Sequence, residues 1–68
     1  MHELSVALGI VTIAENEIKK AHAKSVELIE LEIGALAGIE MESLDFVWQT
    51  AVYNTVLEHA VKKINIIE

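Results

Sequence analysis

The chain has 68 residues, no cysteine and a formal charge of −6 at pH 7. This length allows one small domain, and the hydrophobic fraction of 53% indicates a folded chain rather than a disordered one. The excess of acidic over basic residues argues against nucleic acid as a partner, because neutralising phosphates requires a basic surface. No apolar run approaches the roughly 20 residues that span a bilayer, and the N-terminus lacks a signal-peptide pattern. We therefore expect a cytoplasmic protein without a membrane segment.

A first helix is predicted from about residue 4 to residue 21. Apolar residues recur there at helical spacing, namely Leu4, Ala7, Leu8, Val11, Ala14 and Ile18. Lys19 and Lys20 fall in the last turn, where positive charge complements the helix dipole. Gly9 lies on the polar side and costs about 1 kcal/mol relative to alanine. The apolar face extends over about 220°, more than packing on one face of a sheet requires.

Between Ser25 and Ile33 the spacing of apolar residues changes from helical to alternating. The segment Ile29-Glu30-Leu31-Glu32-Ile33 alternates strictly, which predicts a strand with one buried face and one acidic, solvated face. Residues 34 to 38 then form a loop, in which Gly34 and Gly38 are free to adopt positive φ.

A second helix is predicted from about residue 41 to residue 57, with Phe46, Tyr53 and Leu57 on the side opposite its main apolar stripe. That second stripe serves either as a partner surface or in packing within the domain. Residues 62 to 67 form a second strand. The order α-β-α-β predicts an α/β (α+β) fold with two helices packed on a small sheet, parallel or, with further strands, mixed. A sheet of only two strands is marginally stable in water.

The three histidines are the candidate transition-metal ligands. His22 follows the first helix and His59 follows the second, and neither has a histidine or cysteine at ligand spacing. We expect both to be solvated or to cap a helix.

His2 differs because the Met1 α-amine, the His2 main-chain nitrogen and its imidazole Nδ1 are covalently adjacent. These three nitrogens close a five-membered and a six-membered chelate ring on one ion. Ni(II) and Cu(II) favour such nitrogen-rich, square-planar sites. Glu3 adds either its main-chain nitrogen or its carboxylate. Taken alone, this pattern also arises by chance in chains that begin Met-His.

Motifs along the chain resemble those of the HypA/HybF family of hydrogenase nickel-incorporation proteins. The start Met-His-Glu-Leu-Ser runs directly into an amphipathic helix, as it does in that family. The segment from Leu31 to Ile39 is similar to the family's L-E-I-G-x-L-S/A-G-V, with Met41 standing where many relatives have proline. Residues 42 to 46 are similar to an E-A-L-x-F helix, and residues 55 to 60 to a T-x-x-E-x-A segment. The resemblance covers essentially the whole chain.

The resemblance implies a nickel-binding domain over residues 1–68, with Ni(II) held transiently by Met1, His2 and Glu3. It further implies that the protein is not an enzyme. Such a protein delivers nickel to the [NiFe] hydrogenase large subunit together with a maturation GTPase. In some relatives nickel is also passed towards urease. Family members continue into a zinc module with two C-x-x-C pairs and return with a final strand. Both are absent here, so we expect no zinc in this chain. The chain is then either a piece of a longer protein or a truncated relative.

An alternative is a metal-independent interaction module. Such a module dimerises or swaps elements through its sheet edge or its wide apolar helix faces. We expect self-association under either interpretation. An enzyme is not expected, because the sequence offers no nucleophile–base pair, phosphate loop or convergent acid pair.

Overall fold

The computed structural model describes residues 2–68, which form two helices and two strands in the order α-β-α-β. The elements are α1 (Glu3–Ala21), β1 (Leu28–Gly34), α2 (Met41–Val52) and β2 (Val61–Ile67). The strands pair in parallel, from Leu28 opposite Val61 to Gly34 opposite Ile67. The predicted fold class is confirmed. The sheet of the described residues is purely parallel, because the mixed arrangement requires a further strand.

The predicted bounds of α1 are confirmed to within one residue, and His22 explains where the helix ends. His22 adopts the left-handed conformation (φ 54°), and its N–H donates to the Lys19 carbonyl. The next N–H, of Ala23, donates to the Ile18 carbonyl at 3.1 Å. These two bonds satisfy terminal carbonyls that the helix itself leaves free. His22 was expected to be solvated or to cap a helix; it is exposed and caps α1 through its main chain.

The prediction that α2 continues to residue 57 was wrong, because α2 ends at Val52. Tyr53 leaves the helical region with ψ 128°, and Asn54 adopts φ 58°. The Thr55 hydroxyl donates to the Val52 carbonyl at 2.7 Å and accepts from the Leu57 N–H at 3.2 Å. Side-chain bonding of this kind offers the backbone a turn in place of a further helical turn.

The core lies between the two helices and one face of the sheet. Its buried residues come from α1, α2 and the turn that follows α2: Ala7, Val11, Leu44, Trp48, Ala51, Val52 and Leu57. Half-buried apolar residues of the sheet pack against them, namely Ile29, Leu31, Ile33 and Ile64. No helix within residues 2–68 is long and apolar enough to cross a membrane.

The two faces of β1 separate as its sequence predicts. Ile29, Leu31 and Ile33 are half-buried, whereas Glu30 and Glu32 are exposed. The Glu30 carboxylate accepts a bond from Asn65 Nδ2 at 3.4 Å on the outer face.

The residues of the second apolar stripe predicted for α2 do not share one environment. Phe46 is 85% exposed and Tyr53 is 67% exposed, whereas Leu57 is fully buried. The turn after Val52 redirects the chain, so Leu57 enters the core instead of continuing the stripe on a helix.

Lys62 closes one end of the core. It pairs with Asp45 of α2, and its ammonium group lies 5.4 Å from the centroid of the Trp48 ring. Because its stem is largely covered, this lysine contributes packing as well as a cation–π contact.

Replacing Gly9 with alanine should stabilise the domain. Gly9 is exposed in the middle of α1, and a Cβ added there meets no atom within 4 Å. The free energy of unfolding should rise by about 1 kcal/mol and the melting temperature by about 4–8 °C. Thermal denaturation followed by circular dichroism measures both. Gly38→Ala is the matched control and should destabilise, because Gly38 has φ 74°. A melting temperature lowered by Gly9→Ala would contradict the prediction.

Candidate metal centre at the N-terminus

His2 stands immediately before α1 in extended conformation, with φ −88° and ψ 92°. Its carbonyl accepts the Val6 N–H at 3.1 Å, which closes the first helical turn. Its imidazole is exposed and makes no capping hydrogen bond to the helix. The side chain of His2 is therefore open to solvent. Met1, the first of the three predicted ligands, lies outside the described residues.

The main-chain nitrogens at this end of α1 have no acceptor within the helix. The first N–H groups of any helix lack an intrahelical partner, and His2 and Glu3 occupy the cap and the first helical position. A metal ion that displaced an amide proton here would break no helical hydrogen bond. The positive end of the helix dipole also favours the negative charge of a deprotonated amide.

Glu3 joins the two helices at their N-termini. Its Oε2 accepts the main-chain N–H of Glu40, the residue that caps α2, at 3.1 Å. Glu40 in turn accepts the Glu42 N–H through its own Oε1 at 3.3 Å. The Glu3 carboxylate is thus held in place, while the imidazole beside it is free.

The bond from the Glu40 N–H holds the pKa of the Glu3 carboxyl below its ordinary value of 4.5. The charge of His2 acts in the same direction as a smaller contribution. A carboxylate is favoured when its charged form accepts a hydrogen bond. Glu3 is therefore ionised at neutral pH and contributes negative charge next to His2.

Side chains alone do not build a metal site in the described part of the chain. No group of three or more His, Cys, Asp or Glu side chains within residues 2–68 is arranged to hold a metal ion. His22 is occupied as a cap through its main chain, and His59 is exposed with Nε2 3.6 Å from a Glu58 oxygen. A metal bound at His2 would therefore need main-chain nitrogens.

Glu40 was not among the candidate residues that the sequence indicated. Glu40 lies 37 positions from Glu3, and no local pattern relates the two. Only the packing of α1 against α2 brings their N-termini together.

Removing the Glu40 N–H should raise the pKa of Glu3. Glu40→Pro eliminates that donor at a position whose φ of −83° proline nearly adopts. A lowered folded pKa contributes stability that is present above the unfolded pKa and is lost as the pH falls through the folded value. The proline variant should therefore titrate Glu3 near its ordinary pKa and lose less stability on acidification. NMR titration of the Glu3 side chain measures the pKa.

Glu40→Ala is the matched control. It removes the carboxylate that caps Glu42 but keeps the main-chain donor to Glu3. The pKa of Glu3 should stay lowered in this variant. An equal rise in both variants would show that the Glu40 side chain, and not its N–H, sets the pKa.

The fold is that of a small α/β domain. At its N-terminus an exposed histidine lies beside an anchored carboxylate. The profile of the family described as hydrogenase/urease nickel incorporation, metallochaperone, HypA matches residues 1–68. This chain belongs to that family.

Curated relatives agree with the assignment. Each of the following proteins is described as hydrogenase maturation factor HypA. The chain is 43% identical over 60 residues to the proteins of Chlorobium phaeobacteroides strain BS1 and of Parabacteroides distasonis. The matches cover 88% of this chain and 53% and 52% of those relatives. The protein of Dechloromonas aromatica is 31% identical over 64 residues, covering 94% of this chain and 57% of its own length. The chain spans about half the length of the curated relatives it matches.

Proposed function

We propose that this chain binds one Ni(II) ion at its first three residues and passes it on for the maturation of a [NiFe] hydrogenase. The observation that carries the proposal is the exposed, unengaged imidazole of His2 at the start of a helix. Membership of a nickel-incorporation family supports nickel as the metal.

Three nitrogens form the proposed ligand set: the Met1 amine, the His2 amide nitrogen and the His2 Nδ1. They are joined through chelate rings, so they need no further folding to converge on one ion. Strong nitrogen donors in a plane suit a d⁸ ion such as Ni(II). The ion displaces protons from these nitrogens when it binds.

Glu3 offers a further donor, either its main-chain nitrogen or its carboxylate. Its carboxylate already accepts the Glu40 N–H, whereas its own N–H has no intrahelical acceptor. The anchored carboxylate then acts at short range, offsetting part of the positive charge of the ion and of the two helix N-termini.

The position of the site makes transfer simple. A ligand set at the end of the chain is open on several sides, and an acceptor can replace its donors one at a time. No catalysed reaction is part of this proposal: the chain holds the ion and hands it on. The proposed recipient is the hydrogenase large subunit, with a maturation GTPase as a partner and urease as a second destination.

Nickel titration of the untagged chain should give one-to-one binding that is lost in His2→Ala. The substitution removes the imidazole that closes the six-membered chelate ring. Isothermal calorimetry at pH 7.5 should show the affinity fall by at least about a hundredfold, the scale of one strong ligand.

His59→Ala is the matched control, since it removes another exposed histidine and should leave binding unchanged. Acetylation of the α-amine tests Met1 separately and should weaken binding as strongly as His2→Ala. An acetylated chain that bound nickel with unchanged affinity would place the site elsewhere.

Delivery should occur by direct transfer. Nickel-loaded chain mixed with the nickel-free precursor of a hydrogenase large subunit should yield nickel-containing precursor, even beside excess EDTA. Size-exclusion chromatography with metal analysis of the fractions measures the transfer. The control is an equal amount of nickel sulfate with the same EDTA, which should leave the precursor empty. Nickel recovered only as the EDTA complex would reject direct transfer.

A further inference from the structure

Phe46 and Tyr53 form an exposed aromatic pair on the outer face of α2. The chain has three aromatic residues, and of these the core takes only Trp48. Phe46 and Tyr53 are both largely exposed. They lie seven positions apart, so at 3.6 residues per turn they share one side of the helix to within about 20°. Packing within the domain therefore leaves two of its three aromatic side chains unused.

Polar residues border Phe46 along α2. Every residue one helical turn away from it is polar, namely Glu42, Ser43, Gln49 and Thr50. A helix face that packs into its own domain carries an apolar stripe instead, as Leu44, Trp48 and Ala51 do on the buried side. An aromatic centre inside a polar rim is typical of a contact between proteins, where a few aromatic side chains carry most of the binding energy. The sequence of α2 itself sets this character.

The outer face of α2 is acidic. No basic residue occurs in this helix, and Glu42 is exposed one turn before Phe46. Glu40 and Glu3 add two carboxylates at the same end of α2, where the Glu3 oxygen meets the Glu40 N–H. A complementary partner surface therefore has an apolar pocket, bordered by lysine or arginine on the side that faces the helix N-termini.

This face lies beside the proposed nickel site. Glu40 caps α2 and is bonded to Glu3, and Phe46 follows six residues later, about 9 Å along the helix axis. A stable interface covers ~800 Å² of each partner, which corresponds to a patch roughly 30 Å across. A protein centred on Phe46 therefore extends over the N-termini of both helices. A partner in this position covers the ion, and a protein that receives the ion fits there.

We propose that the protein that accepts the nickel docks on the outer face of α2, with Phe46 and Tyr53 as anchors and Glu42 on the rim. This inference rests on the proposed function and adds the surface on which transfer takes place. Docking at Phe46 holds the acceptor's own ligands next to His2, which raises their effective concentration there. The donors of the chain are then replaced without release of the ion to solvent.

Binding of the nickel-free chain to the nickel-free precursor of the hydrogenase large subunit tests docking apart from the metal. Biolayer interferometry in buffer with EDTA measures the dissociation constant. Phe46→Ala should weaken binding by about thirtyfold and Tyr53→Ala by about tenfold, as expected for aromatic anchors. Phe46→Ala should not lower the melting temperature, because position 46 is exposed and alanine favours the helix. Val61→Thr, at an exposed apolar position of β2, is the matched control and should leave binding unchanged.

Glu42→Gln tests the charge on the rim. It should slow association with the precursor and reduce the dependence of association on salt, with little change in the dissociation rate, because rim charges steer the encounter. Rising salt should weaken binding of the wild type. Glu15→Gln is the charge-matched control, since Glu15 is exposed on α1, and it should leave the association rate unchanged. Faster association of Glu42→Gln would indicate an acidic partner surface and overturn the proposed complementarity.

The rate of nickel transfer connects this surface with the proposed function. At precursor concentrations below saturation, Phe46→Ala should slow transfer by the same factor by which it weakens docking, while calorimetry shows an unchanged nickel affinity. His2→Ala should give the reverse result, with no nickel binding and docking close to that of the wild type. Replacing both Phe46 and Tyr53 without effect on docking or on the rate of transfer would overturn the docking surface and leave the proposed function intact.

Other occupants of the outer face of α2 would give different results. A second copy of the chain would appear as self-association in sedimentation equilibrium that Phe46→Ala abolishes, without binding of the precursor. A precursor that docks elsewhere would bind the wild type and both alanine variants equally. Either result, or a wild type that does not bind the precursor, would overturn the proposal.

Discussion

The buried stripe of α2 is the contact on which the rest of the fold depends. Leu44, Trp48 and Ala51 are buried along one side of this helix, where α1 and the inner face of the sheet meet. The fully buried residues of α1 are the small Ala7 and Val11, which allow the two helices to approach closely. The crossover through α2 also makes β1 and β2 parallel neighbours. One packed helix thus determines both the layering and the topology.

That packing also shapes the N-terminal end of α1, where the metal site is proposed, although no core residue belongs to it. Because α1 lies against α2, the Glu3 carboxylate reaches the Glu40 N–H at 3.1 Å. One side of the N-terminus is therefore anchored to a second helix, and His2 on the other side remains extended and exposed. An anchored acid beside an exposed imidazole suits the transient binding proposed above, because the charge is preorganised and the proposed ligands stay accessible.

The sheet is the least complete part of the molecule. Parallel sheets are usually covered on both faces and have many strands, whereas within residues 2–68 this one has two strands and helices on one face. Its open edge coincides with an apolar groove, and its outer face carries Glu30 and Glu32. Those carboxylates make the strand amphipathic and also weaken indiscriminate edge-to-edge pairing.

The sequence by itself determined the type and order of the four elements, the buried face of β1 and the resemblance of the N-terminus to the start of a nickel-incorporation family. These features follow from local periodicity, from residues such as Lys19 and Lys20 near helix ends, and from atoms joined covalently. Tertiary structure alone decided that α2 ends at Val52, that Leu57 is buried while Phe46 is not, and that Glu3 meets Glu40. Those outcomes depend on contacts between residues distant in sequence and on a turn stabilised by Thr55, and helical spacing carries no information about either.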